Sequence, residues 1–149
     1  MYTRSMPGAR SAIAAVAAAG LLGLPGLPGL GGGQAAAASP NWHAMGRTWA
    51  ASGRLRPGCP KYVYHYRINP PSKSWIVETF LRGPGGKRLA SDVIVSGGDP
   101  ERGTKRFTIC ASNTRPGRFT IRAKLTYDDD TTGTSPAGWL RPSHFRLHR

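Results

Sequence analysis

Residues 106–127 read RFTICASNTRPGRFTIRAKLTY, and the fold class turns on how they alternate. Phe119, Ile121, Ala123, Leu125 and Tyr127 interleave with Thr120, Arg122, Lys124 and Thr126. Successive strand side chains point to opposite faces, so this order buries one face and wets the other. At helical spacing the same residues would scatter around the cylinder and set Arg122 among apolar neighbours. The β-branched and aromatic content also favours a strand. Upstream, Phe107 and Ile109 alternate with Arg106 and Thr108. Between the runs, Ala111 to Gly117 supplies Ser, Asn, Pro and Gly, which form turns by different mechanisms. The stretch predicts a β-hairpin over 105–127, with odd-numbered residues of the second arm in the core and Arg122 and Lys124 facing outward.

Four further runs look like strands. Lys61 to Ile68, KYVYHYRI, puts Tyr62, Tyr64, Tyr66 and Ile68 on one face. Ser74 to Leu81, SWIVETFL, is apolar on both faces and is expected as a central strand covered on both sides. The turn Gly83-Pro84-Gly85-Gly86 leads from it into Leu89 to Val95, its expected partner. His144 to His148 alternates Phe145 and Leu147 inward and reads as a closing strand, pinned by Trp139 and Leu140. Residues 128–138 read as a loop.

Ahead of these runs, residues 39–60 read as an irregular lead-in with a short edge strand near Thr48 to Ala51. Residues 1–38 read as a signal peptide. Arg4 and Arg10 precede an apolar stretch from Ser11 to Leu30, and small residues follow at Ala35 to Ser39. A retained membrane anchor is the rival reading, but Gly23, Pro25, Gly26, Pro28 and Gly29 interrupt the stretch. With the signal removed, no membrane span is expected. The domain plan is therefore 1–38 signal, 39–60 lead-in and 61–149 β-domain. The fold class is all-β: a small antiparallel sandwich of six to seven strands with short turns between them.

Two cysteines, Cys59 and Cys110, are the whole complement. An even pair in an exported chain is expected to be bridged, and neither sits in a C-x-x-C. Without Arg4 and Arg10, residues 39–149 carry 19 basic and 7 acidic side chains, a net charge of +12 with histidine neutral. Such a balance attracts polyanions.

Pro116-Gly117-Arg118-Phe119-Thr120-Ile121-Arg122-Ala123 resembles the late strand of secreted bacterial immunoglobulin-like (Ig-like) modules, where a Pro-Gly turn precedes an aromatic residue and an alternating strand. The likeness covers about twenty residues. Trp75 stands between the cysteines, as in antibody domains, but 16 residues after the first and 35 before the second. Cys110 would point away from Phe107 and Ile109 in a regular strand. The resemblance implies an Ig-like recognition or structural module and transfers no active site.

Catalysis finds little to stand on. No Gly-x-Ser-x-Gly elbow is present, and Asp92, Asp99 and Glu101 are few and near turns. His144 and His148 on one strand face would lie about 13 Å apart, too far to share a metal. Asp128-Asp129-Asp130 lacks the ligand spacing of an EF-hand and reads as a hydrated turn. Gly83 to Lys87 lacks the Lys-Ser/Thr and helix of a P-loop. No cofactor is expected and the chain is read as non-catalytic. The candidate polyanion-binding residues are Lys87, Arg88, Arg106, Arg118, Arg122 and Lys124, with Arg106 placed on the strand adjoining Arg122 and Lys124. Tyr62, Tyr64 and Tyr66 are a candidate stacking platform, weighed against simple packing. The expected partners are anionic cell-envelope polymers or acidic glycans, and nothing selects a specific nucleic acid. A secreted, envelope-associated binding or structural protein is the leading expectation. A carbohydrate- or polyanion-binding module with a defined aromatic/basic groove, and a small exported enzyme or protease inhibitor, are the alternatives.

Overall fold

The computed structural model describes residues 39–149. The signal peptide expected over 1–38 lies outside the described residues. Among the described residues nine strands follow in order: β1 (Gly46–Trp49), β2 (Gly53–Arg54), β3 (Lys61–Ile68), β4 (Trp75–Arg82), β5 (Arg88–Val95), β6 (Arg102–Thr108), β7 (Gly117–Tyr127), β8 (Ala137–Trp139) and β9 (Ser143–His148). The only helical pieces among the described residues are 3-10 turns at Trp42–Ala44 and Ala111–Asn113. None of the described helices is long and apolar enough to cross a membrane.

The strands form two sheets. The smaller runs β1-β3-β6 and the larger β2-β9-β7-β4-β5, with β8 paired to β7. All pairings between strands are antiparallel except the short β2/β9 contact. Period-2 alternation explains how each sheet presents one apolar face. Along β7, Phe119, Ile121, Ala123, Leu125 and Tyr127 are all buried. Along β3, Tyr64, Tyr66 and Ile68 are buried while Val63 and Arg67 are exposed. The inner faces share their core. Tyr66 and Ile68 of the small sheet pack with Trp75, Val77, Ile94 and Leu125 of the large one. At the other end, Tyr64, Phe107 and Ile109 meet Leu81, Phe119, Ile121, Phe145 and Leu147.

Three expectations are corrected. The stretch 105–127 is not a hairpin: β6 pairs with β3, and β7 pairs with β4, β8 and β9 in the other sheet. The reason lies in the connecting backbone. Ile109 N–H donates to the Pro60 carbonyl (3.1 Å) and Ala111 N–H to the Gly58 carbonyl (2.9 Å). These bonds prolong the β3/β6 pairing, so the turn residues carry the chain across to the second sheet. Alternation dictates which face is buried, but it is silent on which strand lies alongside.

The second correction concerns β4, which is covered on one side only. Trp75, Val77, Thr79 and Leu81 face the core, but Ile76 is 46% exposed and Arg82 is exposed on the outer side. The third concerns the segment 39–60: the expected edge strand is present as β1, two residues earlier, but the rest is less irregular than expected. The segment supplies β1 to the edge of the small sheet and β2 to the edge of the large one. Trp42 stacks at a tilt on Tyr127, with ring centroids 5.8 Å apart, and Gly138 admits its indole where any Cβ would collide.

Cys59 and Cys110 form the expected disulfide. It joins the approach to β3 with the exit from β6, next to the Lys61↔Thr108 register pair.

One buried polar cluster has a consequence for alkaline stability. The Tyr64 hydroxyl donates to Asp92 Oδ2 (3.1 Å) and lies 3.1 Å from Thr79 Oγ1. Burial holds the Tyr64 phenol above its ordinary range; the Thr79 bond opposes it, and the Asp92 carboxylate adds to the rise. Burial raises Tyr66 in the same direction. A folded-state value above the unfolded one means that both groups contribute fully below about pH 10, and that this contribution is lost as pH rises further. Thermal unfolding followed by near-UV circular dichroism should therefore show a melting temperature that falls above about pH 10. Tyr64→Phe should flatten part of that fall. An unchanged alkaline slope in Tyr64→Phe would place the titration elsewhere.

A candidate aromatic and basic binding face

The outer face of the large sheet is where cross-strand register assembles side chains of different types. Register places Phe80 of β4 beside Arg122 of β7, and Lys124 of β7 between Glu78 of β4 and Trp139 of β8. Arg82 at the end of β4 pairs with Arg88 at the start of β5, where the ladder slips by one residue. Laterally paired residues share a face and lie close enough for side chains to touch.

The contacts bear this out. The Arg122 guanidinium carbon lies 4.0 Å from the centroid of the Trp139 ring, and that of Arg88 lies 4.7 Å from Phe80. Phe80 and Trp139 are 5.9 Å apart and tilted at 55°. Trp139 is 41% exposed. Together Phe80, Arg82, Arg88, Arg122 and Trp139 line a shallow depression of about 140 Å³. Guanidinium groups over aromatic faces gain from the ring quadrupole and stay held in place, with their N–H edges free for an anion. Glu78 is the one acid carried by these strands on this side.

Three of the six candidate basic residues meet here: Arg88, Arg122 and Lys124. The other three do not. Arg106 pairs with Val63 on the outer face of the small sheet, so it is no neighbour of Arg122; this corrects the placement that followed from the expected hairpin. Arg118 sits opposite Arg146 near the far end of β7. Lys87 lies in the β4–β5 turn and lines small clefts beside Cys110 and Asn113. The tyrosine platform is also corrected. Tyr64 and Tyr66 are buried, and Tyr62 is half-buried with its hydroxyl engaged by the backbone of Arg54 and Arg56.

Phe80, Arg82 and Trp139 were missed by the sequence reading. The signal was present in the alternation of SWIVETFL, which set Phe80 with Ile76 and Glu78. The assumption that both faces of that strand were covered concealed it.

Elsewhere, polar groups serve local structure. Asp128 accepts from Ser74 (2.6 Å) and Ser135 (2.8 Å), and these bonds hold its carboxyl below the usual range. Asp129 accepts from the Thr131 amide (2.9 Å). Lys105 and Asp99 form an ion pair at 2.8 Å, the only one among the described residues. Comparison of the chain with protein-family models, with curated proteins and with solved structures yields no match in any of the three.

Proposed function

We propose that residues 39–149 are an exported, non-catalytic Ig-like β-sandwich that binds anionic polymers of the cell envelope, acidic glycans foremost, on the outer face of the large sheet. The observation that carries this reading is the pairing of solvent-facing aromatic rings, Trp139 exposed and Phe80 half-buried, with guanidinium groups, Arg122 on Trp139 and Arg88 on Phe80. A sugar ring offers a flat C–H face to an aromatic plane, while a carboxylate matches a guanidinium fork. The net charge of +12 over these residues favours encounter with polyanions at long range. The Cys59–Cys110 bridge is compatible with an oxidising destination.

The test is binding to polygalacturonate, measured by calorimetry at low and high salt. Trp139→Ala and Arg122→Gln should each weaken binding about five- to tenfold, given the usual worth of a stacked or charge-assisted contact. Raising the salt from about 0.05 M to about 0.5 M should weaken it further by screening. Salt-independent affinity would refute the electrostatic part. A Trp139→Ala protein that binds like wild type would refute the stacking part.

A further inference from the structure

The small sheet carries a second cationic feature on its own outer face. Register aligns Arg47 of β1, Arg67 of β3 and Arg102 of β6 in one row across the sheet. An isolated parallel bridge adds Arg141 beside Arg47. All four side chains are exposed. Neighbouring strands are about 4.8 Å apart, so the row spans about 14 Å. Like charges set directly opposite one another across strands oppose folding. No acid relieves this row: Glu101, next in sequence to Arg102, makes no ion pair with any member among the described residues.

The row also borders a cavity. Arg47, Arg67 and Arg141 line, with His43 and Asn69, an open cavity of about 500 Å³. Beside it the Arg47 guanidinium lies 5.2 Å from the centroid of the Trp49 ring, and Trp49 stacks on His65 at 5.3 Å. His65 is held in turn by Thr104 at 3.0 Å. Register thus sets Trp49, His65 and Thr104 in the next outer-face row, alongside the arginine row.

We infer that this row is a binding site for phosphoryl groups, distinct from the aromatic and basic face of the other sheet. The choice of anion follows from geometry. A carboxylate has two oxygens in one plane, which match the edge of one guanidinium fork in a bidentate pair. A phosphoryl group presents its oxygens around a tetrahedron and accepts from several forks at once, which the three arginines lining one cavity can supply. A row longer than the cavity suits successive phosphates of a phosphodiester chain, with Arg102 as its outer contact.

The experiment uses the full chain with the disulfide intact and three probes: inorganic pyrophosphate, poly(glycerol phosphate) and polygalacturonate. Arg47→Gln with Arg67→Gln should weaken poly(glycerol phosphate) binding by at least about tenfold, since two charge-assisted contacts are lost. It should leave polygalacturonate within about twofold, whereas Trp139→Ala should do the reverse. Arg67→Lys, which keeps the charge without the fork, should also lose affinity for the phosphate probes. In wild type, pyrophosphate should raise the melting temperature more than sodium chloride of equal ionic strength, as a ligand of the folded state does. That readout needs no variant. Tighter binding of the polymer than of pyrophosphate assigns the site to a chain, and equal binding assigns it to free phosphate. Equal loss of both polymers in the double variant, full retention by Arg67→Lys, or a melting temperature indifferent to pyrophosphate would each overturn the assignment.

Discussion

Replacing Cys59 and Cys110 together by alanine is expected to lower the stability of residues 39–149 by about 4 kcal/mol, the chain-entropy value for a loop of this length. The two cysteines are separated by 51 positions, and the segment between them contains β3, β4, β5 and β6. Without the bridge, the unfolded chain recovers the freedom of that loop. The folded state loses little, because Lys61↔Thr108 pairing and the Ile109-to-Pro60 hydrogen bond already hold the two segments together. A small domain has about 5–15 kcal/mol in total, so the loss takes a large share of it. Urea unfolding of wild type, reduced wild type and the double variant would measure the effect. The latter two should share a midpoint well below that of the first. A reduced protein that unfolds with the oxidised one would refute the prediction.

Phe119→Ala should cost nearly as much, about 3–5 kcal/mol, the usual range for truncating a fully buried phenylalanine. Phe119 is completely buried. It stacks on Phe145 of the adjoining strand at 5.4 Å and lies in the cluster that includes Tyr64 and Leu81. Truncation there leaves a cavity lined by both sheets, which the rigid ladders on either side cannot close. Phe80→Ala is the control. It lies in the same sheet on the opposite face, half-buried against Arg88 and Trp139, and should cost no more than about 1 kcal/mol. The same urea experiment reads both. Equal costs at positions 119 and 80 would mean that the inner and outer faces of this sheet are energetically alike, contrary to the burial pattern.

The contrast between Phe119 and Phe80 also shows how far a local reading reaches. In β7 one face is uniformly apolar and the other uniformly polar, so alternation sorted Phe119 from Arg122 without ambiguity. In β4 both faces carry apolar residues, and the pattern does not distinguish a strand covered twice from one that presents Phe80 and Ile76 to solvent. The same limit applied to the tyrosines of β3. Their common face was legible, but only the packing of Tyr64 with Leu81 and Phe119 of the other sheet shows that this face is the inner one. For the candidate site, Arg122 and Lys124 were placed by alternation within a single strand. Trp139 joined them through β7/β8 register, which pairs residues fifteen positions apart. The arginine row lay still further out of reach, since its members come from β1, β3, β6 and the segment before β9.

By itself, the sequence determined that this chain is all-β, where its principal strands lie, which side of β7 and β9 faces inward, and that its two cysteines pair. These depend on the pleat and on cysteine count, both of which act within a short stretch or need only two residues. Tertiary structure alone decided that residues 106–127, legible as two strands and a turn, divide between two sheets. It also decided which basic side chains stand together. The physical reason is that hydrogen-bonded strand neighbours are chosen by the whole set of strands competing for partners. Ile109 and Ala111 bond back to residues 58–60, and that choice sends Arg106 to one face of the protein and Arg122 to the other.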